Sequence, residues 1–225
     1  MEDNPPTFRQ KLTKRLLDGM GCLVPLFQSI PYGYWGLMSA PFILFLVGIV
    51  APFPSGLVQL PWRLSIIVAT TPLALIGFVF LIYSVGYFLL YKNEGLVTKG
   101  PYRFIRHPQY LGVLLFTIPL TLESMRLYAT DGPSYFTRQA MVFIWYLQLL
   151  AYVVLAVAEE QYILRTHGKD YAEYIQRTGF LFPCPIRGVR WFDIGFSITL
   201  LVVVMNVSLL LSGYIHHTFF YYYLW

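Results

Sequence analysis

The sequence is poor in charge and in cysteine, and both shortages narrow what the protein can be. Only 12% of the 225 residues are charged, whereas 57% are hydrophobic. A soluble domain of this length has about a quarter of its residues charged. The two cysteines, Cys22 and Cys184, have neither the spacing of a metal site nor that of a redox motif. No GxGxxG fingerprint follows a strand, which argues against a Rossmann-type nucleotide-binding enzyme.

What the sequence has instead is long apolar runs. Runs close to the roughly 20 residues that cross a bilayer as a helix recur along the chain. We expect Pro72 to kink the second run. The third run is too short to cross upright alone, so it is expected either to be a half-span or to continue irregularly toward Leu127. The sequence therefore predicts an all-α integral membrane protein with about five transmembrane helices, at about 36–53, 64–90, 109–122, 139–164 and 194–215.

Two further helices are expected outside the spans. Residues 7–20 space apolar side chains four apart with Arg and Lys between them, which is typical of an amphipathic helix on an anionic membrane surface. The alternative is a solvated helix packed on the protein itself. A short amphipathic cytoplasmic helix is predicted at 169–178, after a stop at Gly168. Without repeats or a soluble second domain, residues 1–225 form one membrane domain, with an N-terminal interfacial segment at 1–35.

The few basic residues are unevenly distributed. Of 16 Lys and Arg residues, 13 lie in the N-terminal segment and in the loops at 91–109 and 165–193, and three lie in the alternate connections. The positive-inside rule places the N-terminus and both loops in the cytoplasm, and an odd number of spans places the C-terminus on the opposite side. Because these basic residues flank membrane segments, the net charge of +5 predicts contact with membrane lipids rather than nucleic acid.

The densest charge lies in a first polar stretch, residues 91–112, YKNEGLVTKGPYRFIRHPQYLG. Gly100-Pro101 is typical of a turn, and His107-Pro108 is typical of the start of a helix. The N-terminus of that helix, with its free N–H groups and positive dipole end, would face a basic loop and suit an anionic group. The basic residues and histidine of this stretch are Lys92, Lys99, Arg103, Arg106 and His107.

A second polar stretch, residues 159–183, begins with Glu159 and Glu160 at the end of an apolar helix. Carboxylates are costly to bury there, and adjacent helical residues point about 100° apart, so at least one is expected to face the protein interior. Tyr171 and Tyr174 either pack or line a site. Both stretches are predicted in one compartment, where a zwitterionic ligand would meet the basic loop with its negative end. Its positive end would meet a glutamate and tyrosine faces.

At these residues the chain resembles the isoprenylcysteine carboxyl methyltransferase and phospholipid methyltransferase superfamily of integral membrane enzymes. The family pattern LVTxGPYxxxRHPxYxG stands here as LVTKGPYRFIRHPQYLG, and the pattern EExxLxxxFGxxYxxY stands as EEQYILRTHGKDYAEY. The match covers about residues 77–185, which the resemblance makes the motif-bearing catalytic core. It implies a methyltransferase with S-adenosylmethionine held in a cytoplasmic pocket made by the two stretches. The acceptor would be a lipophilic small molecule from the bilayer, methylated on a carboxylate or an amine.

The resemblance also implies roles for individual residues. Glu160 and Arg106 are the catalytic candidates, and a structural role for Arg106 and for Gly100 stays open. A carboxylate acceptor needs no base, whereas an amine acceptor would lose a proton to Glu160 or His107. No metal ligands are implied. The cofactor-binding candidates are Leu96, Val97, Gly100, Tyr102, His107, Pro108, Tyr110 and Glu159.

The sequence departs from the family pattern at two positions, and the second bears on the acceptor. His167 stands where the family has phenylalanine, and Leu155 stands where the isoprenylcysteine enzymes carry an arginine one turn before the glutamates. A prenylcysteine carboxylate would want that cation, so we predict an acceptor other than a prenylated protein C-terminus. Two alternatives remain open. One is an NADPH-dependent membrane reductase of the sterol reductase type, although such enzymes are typically longer. The other is a non-enzymatic membrane protein on the same fold.

Overall fold

The computed structural model describes residues 25, 33–50, 71–130, 138–183 and 190–223, and this part of the chain is helical. The predicted all-α class is confirmed for these residues. The predicted helix at 7–20 and both cysteines lie outside them. Two short 3₁₀ turns, Lys92–Glu94 and Gly100–Arg103, connect the second helix to the third. The α-helices are α1 (Gly33–Val50), α2 (Pro72–Tyr91), α3 (Pro108–Thr130), α4 (Arg138–Arg177) and α5 (Arg190–Tyr223).

Three stretches of these helices are long and apolar enough to cross a membrane: Pro72–Tyr91, Gln139–Arg177 and Arg190–Ser212. A shorter apolar helix spans Gly33–Ile49. Large hydrophobic side chains point outward along α1, α2, α4 and α5, as they do where lipid covers a protein. The described helices are therefore those of a membrane protein, while the number of five spans stays a prediction.

One expectation about the spans is wrong. Pro72 is the first residue of α2 and follows Thr71 in an extended conformation (φ −111°, ψ 108°), so it starts the helix and does not kink it. α3, which contains the third apolar run, extends over 23 residues with Pro119 inside it, so the run continues as a helix past Leu127. α3 is not among the described stretches that are long and apolar enough to cross a membrane, so its crossing stays a prediction.

Two glycines set the distance between α2 and α3, which make the most extensive helix–helix contact among the described elements. A Cβ atom at Gly77 would lie 2.5 Å from the backbone nitrogen of Phe116. A Cβ atom at Gly112 would lie 2.8 Å from the backbone of Leu81. The two backbones therefore touch, as at membrane helix crossings lined by small residues.

The core lies between α1, α3 and α4 and is built on large aromatic side chains. Trp145 and Tyr152 of α4 are buried, and Trp145 donates a 3.1 Å hydrogen bond from Nε1 to Thr117 Oγ1 of α3. At Gly168 the backbone of α4 leaves helical geometry (φ 49°, ψ −115°), which confirms the predicted stop before the short helical segment that ends at Arg177. This packing fixes which face of α4 points inward.

The two polar stretches are joined by backbone hydrogen bonds. The Arg106 N–H donates to Gly179 O at 2.8 Å, and the Gly179 N–H donates to Phe104 O at 3.0 Å. The Tyr174 hydroxyl donates to Tyr102 O at 2.6 Å. The stretches therefore lie side by side at one end of the described helices, as the sequence predicts.

Candidate functional site

A pocket lies where the two polar stretches meet α1 and α2. Apolar side chains complete the wall, among them Met38 and Ile163. The aromatic lining consists of Tyr34, Trp35, Phe88, Tyr102, Tyr171 and Tyr174.

The structure brings most of the predicted site residues to this pocket. Gly100, Pro108, Tyr110 and Glu160 are outside the lining, and each has another place in the structure. Tyr110 contacts Glu159 from behind the wall, and Pro108 is the buried first residue of α3. The predicted residues in the lining are Leu96, Val97, Tyr102, Arg106, His107 and Glu159.

Glu159 is the carboxylate of the pocket wall. Its Oε1 accepts hydrogen bonds from the Tyr34 hydroxyl at 3.0 Å and from the Tyr110 hydroxyl. Its Oε2 lies 3.4 Å from His107 Nδ1. The His107 ring stacks on the Tyr110 ring, with 5.5 Å between centroids and 8° between planes. The partners of Glu159 among the described residues are thus two phenols and an imidazole, which orient the carboxylate with neutral or weakly basic groups.

Glu160, one residue further along α4, belongs to a separate group that we call the ion-pair cluster: Arg106, Glu160, Arg190 and Asp193. Arg106 Nε lies 2.5 Å from Glu160 Oε1, and Arg106 Nη2 lies 2.6 Å from Asp193 Oδ2. Arg190 Nε lies 2.8 Å from Glu160 Oε2. The side chains of Arg106 and Glu160 are fully buried, and that of Arg190 is 20% exposed. Both oxygens of Glu160 are therefore held by arginines.

Arg106 also holds the loop after α4. Its Nη1 donates to the carbonyl oxygens of Ile175 at 3.1 Å and Thr178 at 2.6 Å. Burial by itself would lower the pKa of Arg106, but the neighbouring carboxylates of Glu160 and Asp193 raise it above its usual value. The guanidinium therefore stays charged and joins both polar stretches to α5.

His107 is a buried imidazole between the two glutamates. Burial would lower the pKa of His107, whereas the hydrogen-bonding carboxylates of Glu159 and Glu160 raise it above its usual value of 6.5. Its Nε2 lies 3.5 Å from Glu160 Oε1, which is long for a hydrogen bond. His107 is thus a pocket residue with an ordinary pKa near neutral pH, and the two neighbouring carboxylates favour its charged form.

Gly100 has a structural reason to be glycine. Its φ of +62° lies in the left-handed region, and a Cβ atom there would come within 2.6 Å of the Tyr87 ring. Tyr102, two residues later, is held by its hydroxyl, which donates to Gln109 Oε1 at 3.1 Å and lies 3.3 Å from Ser84 O. Burial raises the pKa of Tyr102 well above its usual value, so the hydroxyl stays protonated.

The sequence predicts that the basic loop meets the negative end of a ligand, but the structure places three of its basic side chains away from the pocket. Lys92, Lys99 and Arg103 are exposed and are not in the pocket lining, and Arg106 is taken by the ion-pair cluster. The N-terminal turn of α3 does reach the pocket, through His107 and Gln109. The positive end of the helix dipole and the Gln109 amide are therefore the groups that suit an anionic end.

Sequence reasoning missed the contributions of the first and last helices. Tyr34, Trp35 and Met38 of α1 line the pocket, yet they come from or follow a Pro-, Gly- and aromatic-rich segment with no clear periodicity. Arg190 and Asp193 complete the ion-pair cluster from the first turn of α5. The signal that could have identified Asp193 is a carboxylate at the start of an apolar run, the same signal that identified Glu159 and Glu160.

The two residues that depart from the family pattern, His167 and Leu155, both lie on α4. His167 is exposed, with Nδ1 2.9 Å from the hydroxyl of Thr166. Leu155 is buried on α4, 7% exposed, one turn before Glu159. Within the described ranges, no group of three or more His, Cys, Asp or Glu side chains is arranged to hold a metal ion.

Comparison of the chain with protein-family models, with curated proteins and with solved structures gave no match. Function is therefore inferred from the chemistry of the pocket together with the resemblance of the two motifs.

Proposed function

We propose that the chain is an integral membrane methyltransferase that moves a methyl group from S-adenosylmethionine to a lipophilic acceptor from the bilayer. The observation that carries the proposal is the position of Glu159. Its carboxylate lies on the wall of an aromatic pocket and is held by Tyr34, Tyr110 and His107 rather than by an arginine or lysine. Such a carboxylate suits a ligand that brings its own positive charge.

The residues of the pocket fit S-adenosylmethionine in charge and in their aromatic character. The molecule carries a sulfonium, an ammonium, a carboxylate and a flat purine. Glu159 suits the cationic groups, and aromatic faces attract both cations and flat rings. The N-terminal turn of α3, with Gln109, suits the carboxylate.

When bound, S-adenosylmethionine would supply a methyl group on a positively charged sulfur; the methyl carbon would bond to the acceptor atom as its bond to sulfur breaks, leaving S-adenosylhomocysteine. The protein has to position the reactants and exclude water. Tyr34, Trp35 and Phe88 form apolar walls that exclude water, and Glu159 binds the positive end. Of the two candidates that could take a proton from an amine acceptor, His107 lines the pocket, whereas both oxygens of Glu160 are held by arginines.

We propose that the acceptor is not a prenylated protein C-terminus. Leu155 is buried where the isoprenylcysteine enzymes carry an arginine, and α4 has no Lys or Arg between Arg138 and Arg165. A prenylcysteine carboxylate would therefore lack its cation on this helix. A lipid or isoprenoid-type small molecule reaching the pocket beside α3 and α4 suits the apolar surroundings better.

Calorimetry on the detergent-solubilised full chain tests the cofactor. We expect saturable binding of S-adenosylmethionine and no binding of NADPH. Binding of NADPH instead would favour the reductase alternative, and binding of neither would favour a non-enzymatic membrane protein.

A methylation assay tests the acceptor. The full chain is incubated with methyl-labelled S-adenosylmethionine and either a total lipid extract or a farnesylated cysteine analogue. We expect labelled product from the extract. Robust turnover of the farnesyl analogue would contradict the proposed acceptor class and would mean that a residue outside α4 supplies the positive charge.

We further propose five spans, with the N-terminus and the pocket on the cytoplasmic side and the C-terminus on the other. Single cysteines replacing Lys99 or Lys169, in a chain with Cys22 and Cys184 changed to Ser, test this with an impermeant reagent. Both should be labelled from the cytoplasmic side only. Labelling of Lys169→Cys only from the outside would overturn the orientation.

A further inference from the structure

We propose that Asp193 and Arg190, at the start of α5, are positioning residues that set the charge beside Glu159, and through it the preference of the pocket for a cationic ligand. The identity of the ligand rests on the proposed function, but the electrostatic effect does not. Both residues lie beyond the motif-bearing core and outside the pocket lining, so they act through Arg106 and Glu160.

The chain of contacts from α5 to the pocket is short. Asp193 Oδ2 lies 2.6 Å from Arg106, and Arg106 lies 2.5 Å from Glu160. Arg190 closes the series at 2.8 Å from the second oxygen of Glu160. Arg106 lines the pocket next to His107, the residue that contacts Glu159. A change of charge at either end of the cluster therefore changes the electrostatic potential at the pocket wall.

The cluster is formally neutral, with two arginines and two carboxylates. Asp193 and Glu160 take up the charge of Arg106, so the guanidinium is not available to neutralise Glu159. Burial makes this balance effective, because charges in a low-dielectric interior are weakly screened. Asp193, a carboxylate on a different helix, thus helps to keep the Arg106 guanidinium from neutralising Glu159.

Removing the charge of Asp193 and removing the charge of Arg190 should have opposite effects on the affinity for a cationic ligand. Asp193→Asn leaves two cations against one anion, and the excess positive charge opposes a cationic ligand. Arg190→Gln leaves two anions against one cation and favours a cationic ligand. A unit charge acting over roughly 10 Å at an effective dielectric constant of about 20 changes an affinity by about ten-fold. The effect of Arg190→Gln should be smaller, because that side chain is partly exposed.

The test uses two ligands that differ by one methyl group and one positive charge, S-adenosylmethionine and S-adenosylhomocysteine. The ratio of their dissociation constants, measured by calorimetry on the full chain, reports the preference for the sulfonium. We expect Asp193→Asn to lower this preference about ten-fold, and Arg190→Gln to raise it. Asp193→Glu, which keeps the charge, should restore the preference. The matched controls Asp170→Asn and Arg177→Gln change exposed side chains and should leave it unchanged.

A second readout needs no ligand. The groups around His107 are Glu159, Glu160, Tyr110 and Phe180. In the ligand-free full chain, NMR titration of the His107 ring, identified with His107→Gln, should show a lower pKa in Asp193→Asn and a higher pKa in Arg190→Gln. If the wild-type chain binds neither ligand, the proposed function fails, and this titration still decides the electrostatic proposal.

A purely structural role predicts different results. Structural damage would lower the affinity for both ligands together and leave their ratio unchanged. A ratio and a His107 pKa that stay at wild-type values in both variants, or that move in the same direction in both, would overturn the proposal. If Asp193→Asn does not fold, Arg190→Gln decides alone, because a lowered preference in that variant has the wrong sign.

Discussion

The pocket and the ion-pair cluster are neighbours, yet they hold their carboxylates in opposite ways. In the cluster, Glu160 is fully buried and lies within 2.8 Å of both Arg106 and Arg190. In the pocket, Glu159 is held by two tyrosine hydroxyls and faces an imidazole. These glutamates are consecutive residues of α4, so the difference arises from the roughly 100° between adjacent helical side chains.

The difference separates a carboxylate that holds the fold from one that is available to a ligand. A buried ion pair is costly to break, because removing one partner leaves the other charge buried and uncompensated. Glu159, in contrast, lies in the pocket lining, where an incoming cation can pair with it. Variants of each region should therefore affect different quantities, stability in the cluster and affinity in the pocket.

The largest effect is expected from Arg106→Met. The variant leaves the Glu160 and Asp193 carboxylates without their shared cation, and breaking a buried pair costs about 3–5 kcal/mol. Thermal unfolding of the detergent-solubilised protein should show a large fall in midpoint. Arg103→Met, three residues earlier and exposed, is the matched control and should unfold close to the wild type. Equal unfolding midpoints for the two variants would show that the ion-pair cluster does not stabilise the fold.

The next effect is expected from Glu159→Gln. The amide keeps the shape and still accepts hydrogen bonds from Tyr34 and Tyr110, but it has no charge. Loss of a charge-assisted contact costs roughly 1.5–3 kcal/mol, or about ten- to a hundred-fold in the affinity for S-adenosylmethionine. Calorimetry measures this, with Glu173→Gln as the control at a carboxylate that is 68% exposed. Unchanged affinity in a normally folded Glu159→Gln would reject the assignment.

A smaller effect is expected from Tyr34→Phe. The variant removes the hydroxyl that donates to Glu159 at 3.0 Å and leaves the ring in the wall. A typical hydrogen bond contributes about 1 kcal/mol, so the unfolding midpoint should fall slightly. Tyr91→Phe, at an exposed position on α2, should not change it. If both variants behave alike, α1 does not hold Glu159.

The smallest effect is a pH dependence. Because the pKa of His107 is raised in the folded protein, the native state binds more protons than the unfolded state above pH 6.5. The His107 contribution is fully present below pH 6.5 and is lost as the pH rises through the folded pKa. We expect a slope on the order of a few tenths of a kcal/mol per pH unit there. Unfolding midpoints measured across pH should depend less on pH in His107→Gln than in the wild type. The exposed His167→Gln should keep the wild-type pH dependence.

The sequence predicted the elements and motifs of the site better than their arrangement. Apolar runs predicted where α1, α2, α4 and α5 lie, and Gly168 predicted the break in α4. Motif positions predicted most of the pocket lining in the first polar stretch. These features are local, so a linear pattern carries them.

What the sequence could not predict depends on packing between distant segments. The rotation of α4 is set by buried residues such as Trp145 and Tyr152, and it decides that Glu159 rather than Glu160 faces the pocket. The pairing of Asp193 with Arg106 joins residues 87 positions apart. Tyr34 reaches Glu159 across 125 positions. No local periodicity contains such contacts.

The contact between α2 and α3 limits where a molecule can pass from the lipid to the pocket. At Gly77 and Gly112 the two backbones are so close that even one added carbon would overlap the neighbouring helix. An acyl chain is much wider than the gap between these backbones, so it cannot pass between α2 and α3 at this depth. The contact at Gly112, the last residue of the first motif, therefore blocks passage between α2 and α3 at this depth. A lipophilic acceptor of the proposed kind would have to approach the pocket elsewhere.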